Sequence, residues 1–327
     1  MFKKIIFRCD SAKIPELGTG HLYRCITLSI LLKKKFFLKK KDILFLIKTK
    51  GKFDISKKVL KQNNINFISI KNEIKDYSFQ ESNLINNYKS NLIIIDRLGN
   101  INKEFIYSLK KNHKKILLFD DSSDYRSLVD LAINPLILNV KKLKNTLVGF
   151  KFNIIPGFLT NYKKSFNIRN FKIFVSFGGF DSNNLTTKSI KYLKNKNNFQ
   201  LILNEKYKNL YKNNKNISYF NSRNYYKNLV SSDLVISAGG LTMFDAIYFN
   251  KSIICIPQYK HQLRNINILQ KKKLVYKLDI KNINKINHIL NTINQKKLIN
   301  TNKKNNIINS NLIKKTLNFI YKQYEEY

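Results

Sequence analysis

The stretch Gly18-Thr-Gly-His-Leu-Tyr-Arg-Cys25 brings together residue types suited to chemistry at a helix start. Two glycines let the backbone turn sharply and lie bare beneath a ligand. The free N–H groups of the first helical turn favour an anion, most often phosphate. His21 falls in that turn, where a neutral imidazole is placed to take a proton from water. Arg24, three residues on, lies on the same side of the helix and can pair with an acid or a phosphate. No third glycine completes a dinucleotide fingerprint, and a His at a helix start also serves as a cap or a surface residue. Spacing alone leaves both roles open.

A second constellation lies in Ala238-Gly-Gly-Leu-Thr-Met-Phe-Asp245. Gly239 and Gly240 leave backbone N–H groups free at another helix start, suited to a diphosphate. Asp245 follows within two turns, and a carboxylate there can accept both hydroxyls of a ribose. The alternative is that Asp245 only complements the helix dipole. Two anion-friendly helix starts in two halves of the chain suggest that one holds a nucleotide and the other the reacting group.

The elements that position these residues follow from apolar runs at α/β spacing. Lys3–Cys9 reads as a first strand, with Asp10 just past its end. Ile43–Ile47, Phe67–Ile70, Leu92–Ile95, Ile116–Phe119 and Leu131–Ile133 are further strands, with Asp96, Asp120 and Asp121 at carboxyl ends. Helices fill the gaps near 53–63, 80–89 and 102–112. Such alternation predicts a parallel sheet with helices on both faces, whose ligands sit beyond the carboxyl ends of the strands. The pattern lapses from Pro156-Gly157 through Lys163–Arg169, so the domains are placed at 1–158 and 170–327.

The second half repeats the plan. Phe171–Ser176 is a strand leading into Phe177-Gly-Gly-Phe-Asp-Ser-Asn-Asn-Leu-Thr186, where Asp181, Ser182 and Asn183 are candidate helix caps. Phe199–Leu203, Asp233–Ala238 and Ser252–Ile256 follow as strands, then a helix near 262–272 and a closing helix near 306–324. The predicted architecture is α/β: two doubly wound Rossmann-like domains facing each other across a cleft. No sequence repeat marks a duplication.

Composition bounds the function. Of 327 residues, 61 are basic and 20 acidic, for a formal charge of +41. Only seven of the basic residues are Arg, and the lysines are spread along the whole chain. Lys, Asn, Ile, Phe and Tyr all have A/T-rich codons, so codon bias accounts for the charge better than a nucleic-acid surface does. The field should still concentrate anionic substrates. No apolar run is long enough to span a bilayer. Cys9, Cys25 and Cys255 fit no metal spacing and point to a reducing, cytoplasmic setting. His113 and His288, in Lys/Asn-rich contexts, read as surface residues, and His261 is nearer the expected cleft.

Taken in order, Arg8-x-Asp10-Ser11, Gly18-x-Gly20-His21-x-x-Arg24-Cys25, Ile93–Asp96, Phe119–Asp121, Phe177-Gly-Gly-x-Asp181-x-x-Asn184-Leu-Thr186 and Ala238-Gly-Gly-x-Thr242-x-x-Asp245 form a pattern. The pattern, over about residues 3 to 275, resembles the PseG/SpsG family of nucleotide-sugar hydrolases of pseudaminic acid synthesis. The C-terminal part also resembles the wider family of two-domain, GT-B glycosyltransferases. The resemblance implies a GT-B-like, monomeric hydrolase without metal or cofactor. It would release UDP and free sugar from UDP-2,4-diacetamido-2,4,6-trideoxy-β-L-altropyranose, with inversion. Its base would be His21, with Asp10 orienting that His or binding a sugar hydroxyl. Substrate would be bound by Gly18, Gly20, Arg24, Asp96, Gly178, Gly179, Asp181, Asn184, Gly239, Gly240, Thr242, Asp245, Gln262 and Asn265. Partners would be a UDP-sugar and water, not nucleic acid. The chain departs from the family in Asp96-Arg97-Leu98-Gly99, where Asp-His-Tyr-Gly is usual, in Ser182 for Pro, in Asp245 for a ribose Glu, and in Ile154–Phe158, which lacks a charged pair. A GT-B glycosyltransferase is the competing reading, and a non-catalytic binder a more distant one.

Overall fold

The computed structural model describes residues 4–14, 17–97, 99–156, 171–193, 199–295 and 307–325, with side chains omitted for 291–295. The chain divides into two compact units, Met1–Ile154 with Ile308–Tyr327, and Ile155–Ile307.

In unit 1 the elements run β1 (Ile5–Cys9), α1 (Gly20–Phe36), β2 (Ile43–Lys48), α2 (Asp54–Gln62), β3 (Phe67–Ile70), α3 (Phe79–Asn86), β4 (Ser90–Asp96), α4 (Lys103–Lys110), β5 (His113–Phe119), β6 (Leu131–Asn134) and β7 (Thr146–Val148). Every strand pair is parallel, in the order β3-β2-β1-β4-β5-β6-β7. β1, β2 and most of β4 are buried on both faces, which is why their apolar runs are continuous rather than alternating.

Unit 2 runs β8 (Phe171–Ser176), α5 (Leu185–Leu193), β9 (Phe199–Asn204), β10 (Ile217–Phe220), α6 (Tyr225–Ser231), β11 (Leu234–Ser237), α7 (Leu241–Tyr248), β12 (Ser252–Cys255), α8 (Lys260–Lys271), β13 (Tyr276–Lys277) and α9 (Ile286–Gln295). Its parallel sheet has the order β10-β9-β8-β11-β12-β13. Both sheets therefore reverse direction of winding between their first and fourth strands, β1/β4 and β8/β11. In sheets of this kind ligands bind outside the carboxyl ends at that reversal.

Two expectations need correction. The sequence assigned everything from 170 to 327 to the second domain, but α10 (Ser310–Glu325) packs with unit 1. Its apolar stripe of Ile313, Leu317, Ile320 and Tyr324 is buried, and the helix lies against β4, β5 and the turn at Phe150–Phe152. An amphipathic helix records that it has a partner, not which one. His113 is not a surface residue either: it starts β5, is buried, and its Nδ1 lies 2.7 Å from Ser90 Oγ. Burial, then the charge of Lys4, pushes its ring down to about 4. The short strands β7, β10 and β13 are not among the predicted ones.

Candidate functional site

α1 starts at the carboxyl edge of β1 without any side-chain cap, since Thr19 makes no capping bond. Gly18, at φ +53°, supplies the left-handed turn before it, a conformation that an L side chain would strain. His21 therefore stands in the first turn, its side chain 12% exposed. Its Nδ1 lies 2.6 Å from Oδ1 of Asp96, at the end of β4. β4 is the neighbour of β1, and Asp96 is in register with Cys9, which places the carboxylate under the helix start.

Asp96 is fully buried and bound twice more by Arg24, whose Nε reaches Oδ2 at 2.6 Å and whose second terminal nitrogen reaches Oδ1 at 2.6 Å. Burial would raise this carboxyl, but Arg24 and then His21 outweigh it and hold Asp96 well below the usual carboxylate range. An ionised Asp96 makes Nδ1 of His21 the protonated nitrogen and leaves Nε2 as the ring's basic atom. Arg24 also pairs with Asp120 at 2.8 Å and lies 4.6 Å over the Phe119 ring.

This arrangement changes the roles expected for three residues. Asp10 does not orient His21. It pairs with Arg8 at 2.7 Å and accepts the Lys48 backbone N–H at 3.1 Å, because β1 has β2 on its other side. Burial opposes its ionisation, but Arg8 brings it down to about 2. Asp96 and Arg24, expected to touch substrate, are committed to each other inside the protein.

Glu81 was not singled out in the sequence, and it is the centre of a second buried cluster. In Ser78-Phe-Gln-Glu81 the spacing is that of a capping box, and Ser78 does cap α3, accepting the Glu81 N–H at 3.2 Å. The Glu81 carboxylate, however, takes Arg8 at 2.7 Å, Arg97 at 2.5 and 2.6 Å, and the Tyr77 N–H at 2.7 Å. Burial works against its charge, yet Arg8 and Arg97 hold it at about 2. Arg97 lies 4.0 Å over the Tyr77 ring and is itself buried. Arg97 is thus part of the internal support of unit 1.

In unit 2 three segments meet at the carboxyl edge of the sheet. Gln258, before α8, donates to the Phe177 carbonyl at 3.1 Å, and Ser182 Oγ lies 2.9 Å from the Tyr259 hydroxyl. Gln262 receives the Gln258 N–H at 2.9 Å. Gly239 packs directly on Gln262: a Cβ at Gly239 would lie 2.9 Å from Gln262 Cβ and 3.0 Å from its carbonyl oxygen. The turn after β8, the turn after β11 and the start of α8 are thus one assembly. Gly240 then begins α7 with no capping side chain, and a Cβ there would meet nothing within 4 Å.

Asp245 and Asn265 are both buried, and each keeps one side-chain oxygen, Oδ1, without a hydrogen bond. Asp245 Oδ2 accepts the hydroxyls of Tyr225 at 3.2 Å and Tyr226 at 3.4 Å, while Thr242 Oγ1 takes the Tyr225 hydroxyl at 3.1 Å. Burial without a cation pushes Asp245 up to about 8, against the pull of the two tyrosines. The tyrosines left no signal in the sequence beyond their abundance. Gly178 and Gly179 are exposed in the turn after β8. Asp181 turns out to be a cap: its two oxygens accept Leu185 and Thr186 N–H groups at 2.8 Å each. Asn184, exposed and at φ +51°, is the bend between that cap and α5.

Among the described residues no group of three or more His, Cys, Asp or Glu is placed to hold a metal ion. No helix there is long and apolar enough to cross a membrane. The three cysteines are buried and unpaired.

Residues 163–317 match the glycosyltransferase family 28 C-terminal domain. An uncharacterized protein of Methanocaldococcus jannaschii is 27% identical over 281 residues, covering 76% of this chain and 54% of that protein, so the chain spans about half its relative's length. Among solved structures, the UDP-GlcNAc 2-epimerase of Neisseria meningitidis bound to UDP-GlcNAc is similar with a TM-score of 0.58 at 10% identity, covering 97% of this chain and 100% of that one. MnaA of S. aureus, solved with UDP, gives 0.61 at 12% identity, covering 99% and 98%. The spinosyn rhamnosyltransferase SpnG, complexed with thymidine diphosphate, gives 0.56 at 10% identity, covering 98% and 96%. The fold is GT-B, with two parallel Rossmann-like sheets of seven and six strands.

Proposed function

We propose that the protein hydrolyses a UDP-sugar at its anomeric carbon, releasing UDP and the free sugar. The observation that carries this reading is the contact between His21 and Asp96. A buried, ionised carboxylate on Nδ1 leaves Nε2 basic at an uncapped helix start beyond the strand ends. In this reading water attacks the anomeric carbon as its bond to the UDP oxygen breaks. Nε2 of His21 takes the water proton, and UDP departs with the bonding electron pair. UDP is a good leaving group, so no second carboxylic acid is required, unlike the glycosidases. Within unit 2, the uncapped start of α7 at Gly240 suits a diphosphate. Asp245 and Asn265, each with an unused buried oxygen, receive hydroxyl or N–H donors of the nucleoside. The resemblance to the PseG/SpsG family supports a diacetamido-trideoxy sugar as substrate.

A GT-B glycosyltransferase is the second reading, favoured by the family match over residues 163–317. The chemistry at His21 would be the same, with an acceptor hydroxyl replacing water. Incubation with a panel of UDP-sugars in ¹⁸O-water, without acceptor and followed by NMR, separates the two. Rapid release of UDP and of sugar labelled at C1 supports hydrolysis. Intact donor that turns over only when an acceptor is added overturns it.

A further inference from the structure

Lysine occurs along the whole chain, but its densest run is Lys33-Lys-Lys-Phe-Phe-Leu-Lys-Lys-Lys41, with six in nine residues. The run closes α1 and leads through a short 3₁₀ turn, Lys40–Asp42, into β2. All six lysines are exposed. Two carboxylates meet the run. Asp42 is spent on its backbone, accepting the Lys39 N–H at 2.7 Å, and Glu325 at the end of α10 pairs with Lys35 at 3.6 Å. An excess of positive charge remains on the surface.

Phe37, in the middle of the run, is the residue that neither charge nor codon usage explains. It ends α1 at φ +52°, in the left-handed conformation. Glycine or asparagine ordinarily closes a helix in this way. Asn64, Asn184 and Asn250 take the same conformation elsewhere in the chain. Asn also has A/T-rich codons, so codon bias gives no preference for Phe over the less strained residue. The Phe37 side chain gains no burial in return, being 91% exposed. Its neighbours are anchored. Phe36 lies against Tyr324 and Tyr321 of α10, with ring centres 4.5 and 5.6 Å apart, and Leu38 is buried, its N–H bonded to the Lys33 carbonyl at 3.1 Å. The fixed backbone on both sides holds the Phe37 ring out into solvent. An unfavourable conformation kept without a packing gain points to a partner for the ring.

We infer that the end of α1 is a docking surface for an anionic lipid membrane, with Phe37 entering the headgroup layer and the flanking lysines meeting the lipid phosphates and carboxylates. Each lysine near such a surface contributes about 1 kcal/mol, and an inserted apolar ring supplies the second signal that lasting attachment requires. Single-stranded nucleic acid is instead held in a basic groove with successive stacking rings, whereas here one ring stands clear at a helix end. The 17 residues of α1 span about 25 Å, which puts this surface at the opposite edge of the sheet from His21. Attachment therefore leaves the carboxyl edge of unit 1 open, and the inference does not depend on the hydrolase reading.

Sedimentation of the full-length protein with vesicles tests it. Binding is expected to vesicles of phosphatidylcholine and phosphatidylserine at about 7:3, and not to phosphatidylcholine alone. Changing Lys33, Lys34, Lys39 and Lys41 together to Gln should lower the bound-to-free ratio by roughly fivefold per lysine. Phe37→Asn, which suits the left-handed turn, should lower it by roughly fivefold to tenfold with the charge unchanged. The chain has no tryptophan, so Phe37→Trp provides a single reporter whose emission should shift to the blue on binding and be quenched by brominated lipid. Equal loss on changing the exposed Lys57, Lys58, Lys208 and Lys212 to Gln would assign binding to the overall charge and overturn the inference. So would unchanged binding of Phe37→Asn, an unshifted Trp emission, or affinity for single-stranded RNA that depends on the same residues while vesicles stay unbound.

Discussion

Nδ1 of His21 and Oδ1 of Asp96 lie 2.6 Å apart, although 75 residues separate them in the chain. The contact exists because β4 crosses over to pair with β1, and it sets the ring nitrogen available for chemistry. His21→Ala or His21→Phe is therefore expected to keep the fold and UDP binding while turnover falls by roughly 10²–10⁴-fold. Calorimetry with UDP and a steady-state assay check the two halves of that statement. Unchanged turnover would remove His21 from the mechanism.

Glu81→Gln should be a stability variant, not an active-site one. It leaves Arg8 and Arg97 buried with half their partners gone, a change that costs about 3–5 kcal/mol. The pH dependence has a definite sign. Glu81 is held at about 2, below its unfolded value near 4.3. Its stabilisation is thus present above the unfolded value and is lost as pH falls towards 2. Urea unfolding at pH 7 and pH 3 should show the gap between wild type and Glu81→Gln shrinking at the lower pH.

Asp245 has the opposite linkage. Its folded value of about 8 lies above the unfolded value near 3.9, so the unfolded chain binds fewer protons across that interval. Stability from this group is full below the unfolded value and declines as pH rises towards 8. Asp245→Asn should be more stable than wild type at pH 8, by an amount on the order of 1–3 kcal/mol, and equal to it near pH 4. UDP affinity of the same variant should fall about tenfold if the carboxyl receives ribose hydroxyls. Thermal melts across pH and titration calorimetry separate these effects.

Gly239 and Gly240 are adjacent but differ in what surrounds them. Gly239→Ala would force a methyl against the Gln262 backbone and push α8 away from α7, costing about 1–3 kcal/mol. Gly240→Ala meets open space, so stability should stay within about 0.5 kcal/mol. Both should weaken UDP binding, the first by displacing the start of α8 and the second by covering the start of α7. A Gly240→Ala protein that binds UDP as wild type does would separate α7 from the diphosphate.

The arginines show how composition and structure bear on each other. The sequence carries seven among 61 basic residues, and four of them, Arg8, Arg24, Arg97 and Arg126, are among the largest fully buried side chains. Lysine is spread over the chain, while Arg8, Arg24 and Arg97 meet buried carboxylates with a planar fork of donors and Arg126 donates to the Asp121 and Lys141 carbonyls. The four arginines of unit 1 all lie in its interior, whereas Arg223 and Arg264 of unit 2 are exposed, and the uniform lysine background was not informative about function.

The sequence by itself determined the two parallel α/β halves and the edge at which polar residues gather. Apolar runs with β spacing, interrupted by helices, leave no other way to bury both faces of the strands, and Gly18, Gly239 and the strand-end aspartates are local signals. Tertiary structure alone decided the partners. His21 meets Asp96 and not Asp10, Glu81 serves two arginines beyond its capping box, and the last helix returns to the first unit. Each of these depends on which strand lies beside which and on where an apolar helix face is buried. Such choices are made by packing between residues far apart in the chain, and no local spacing encodes them.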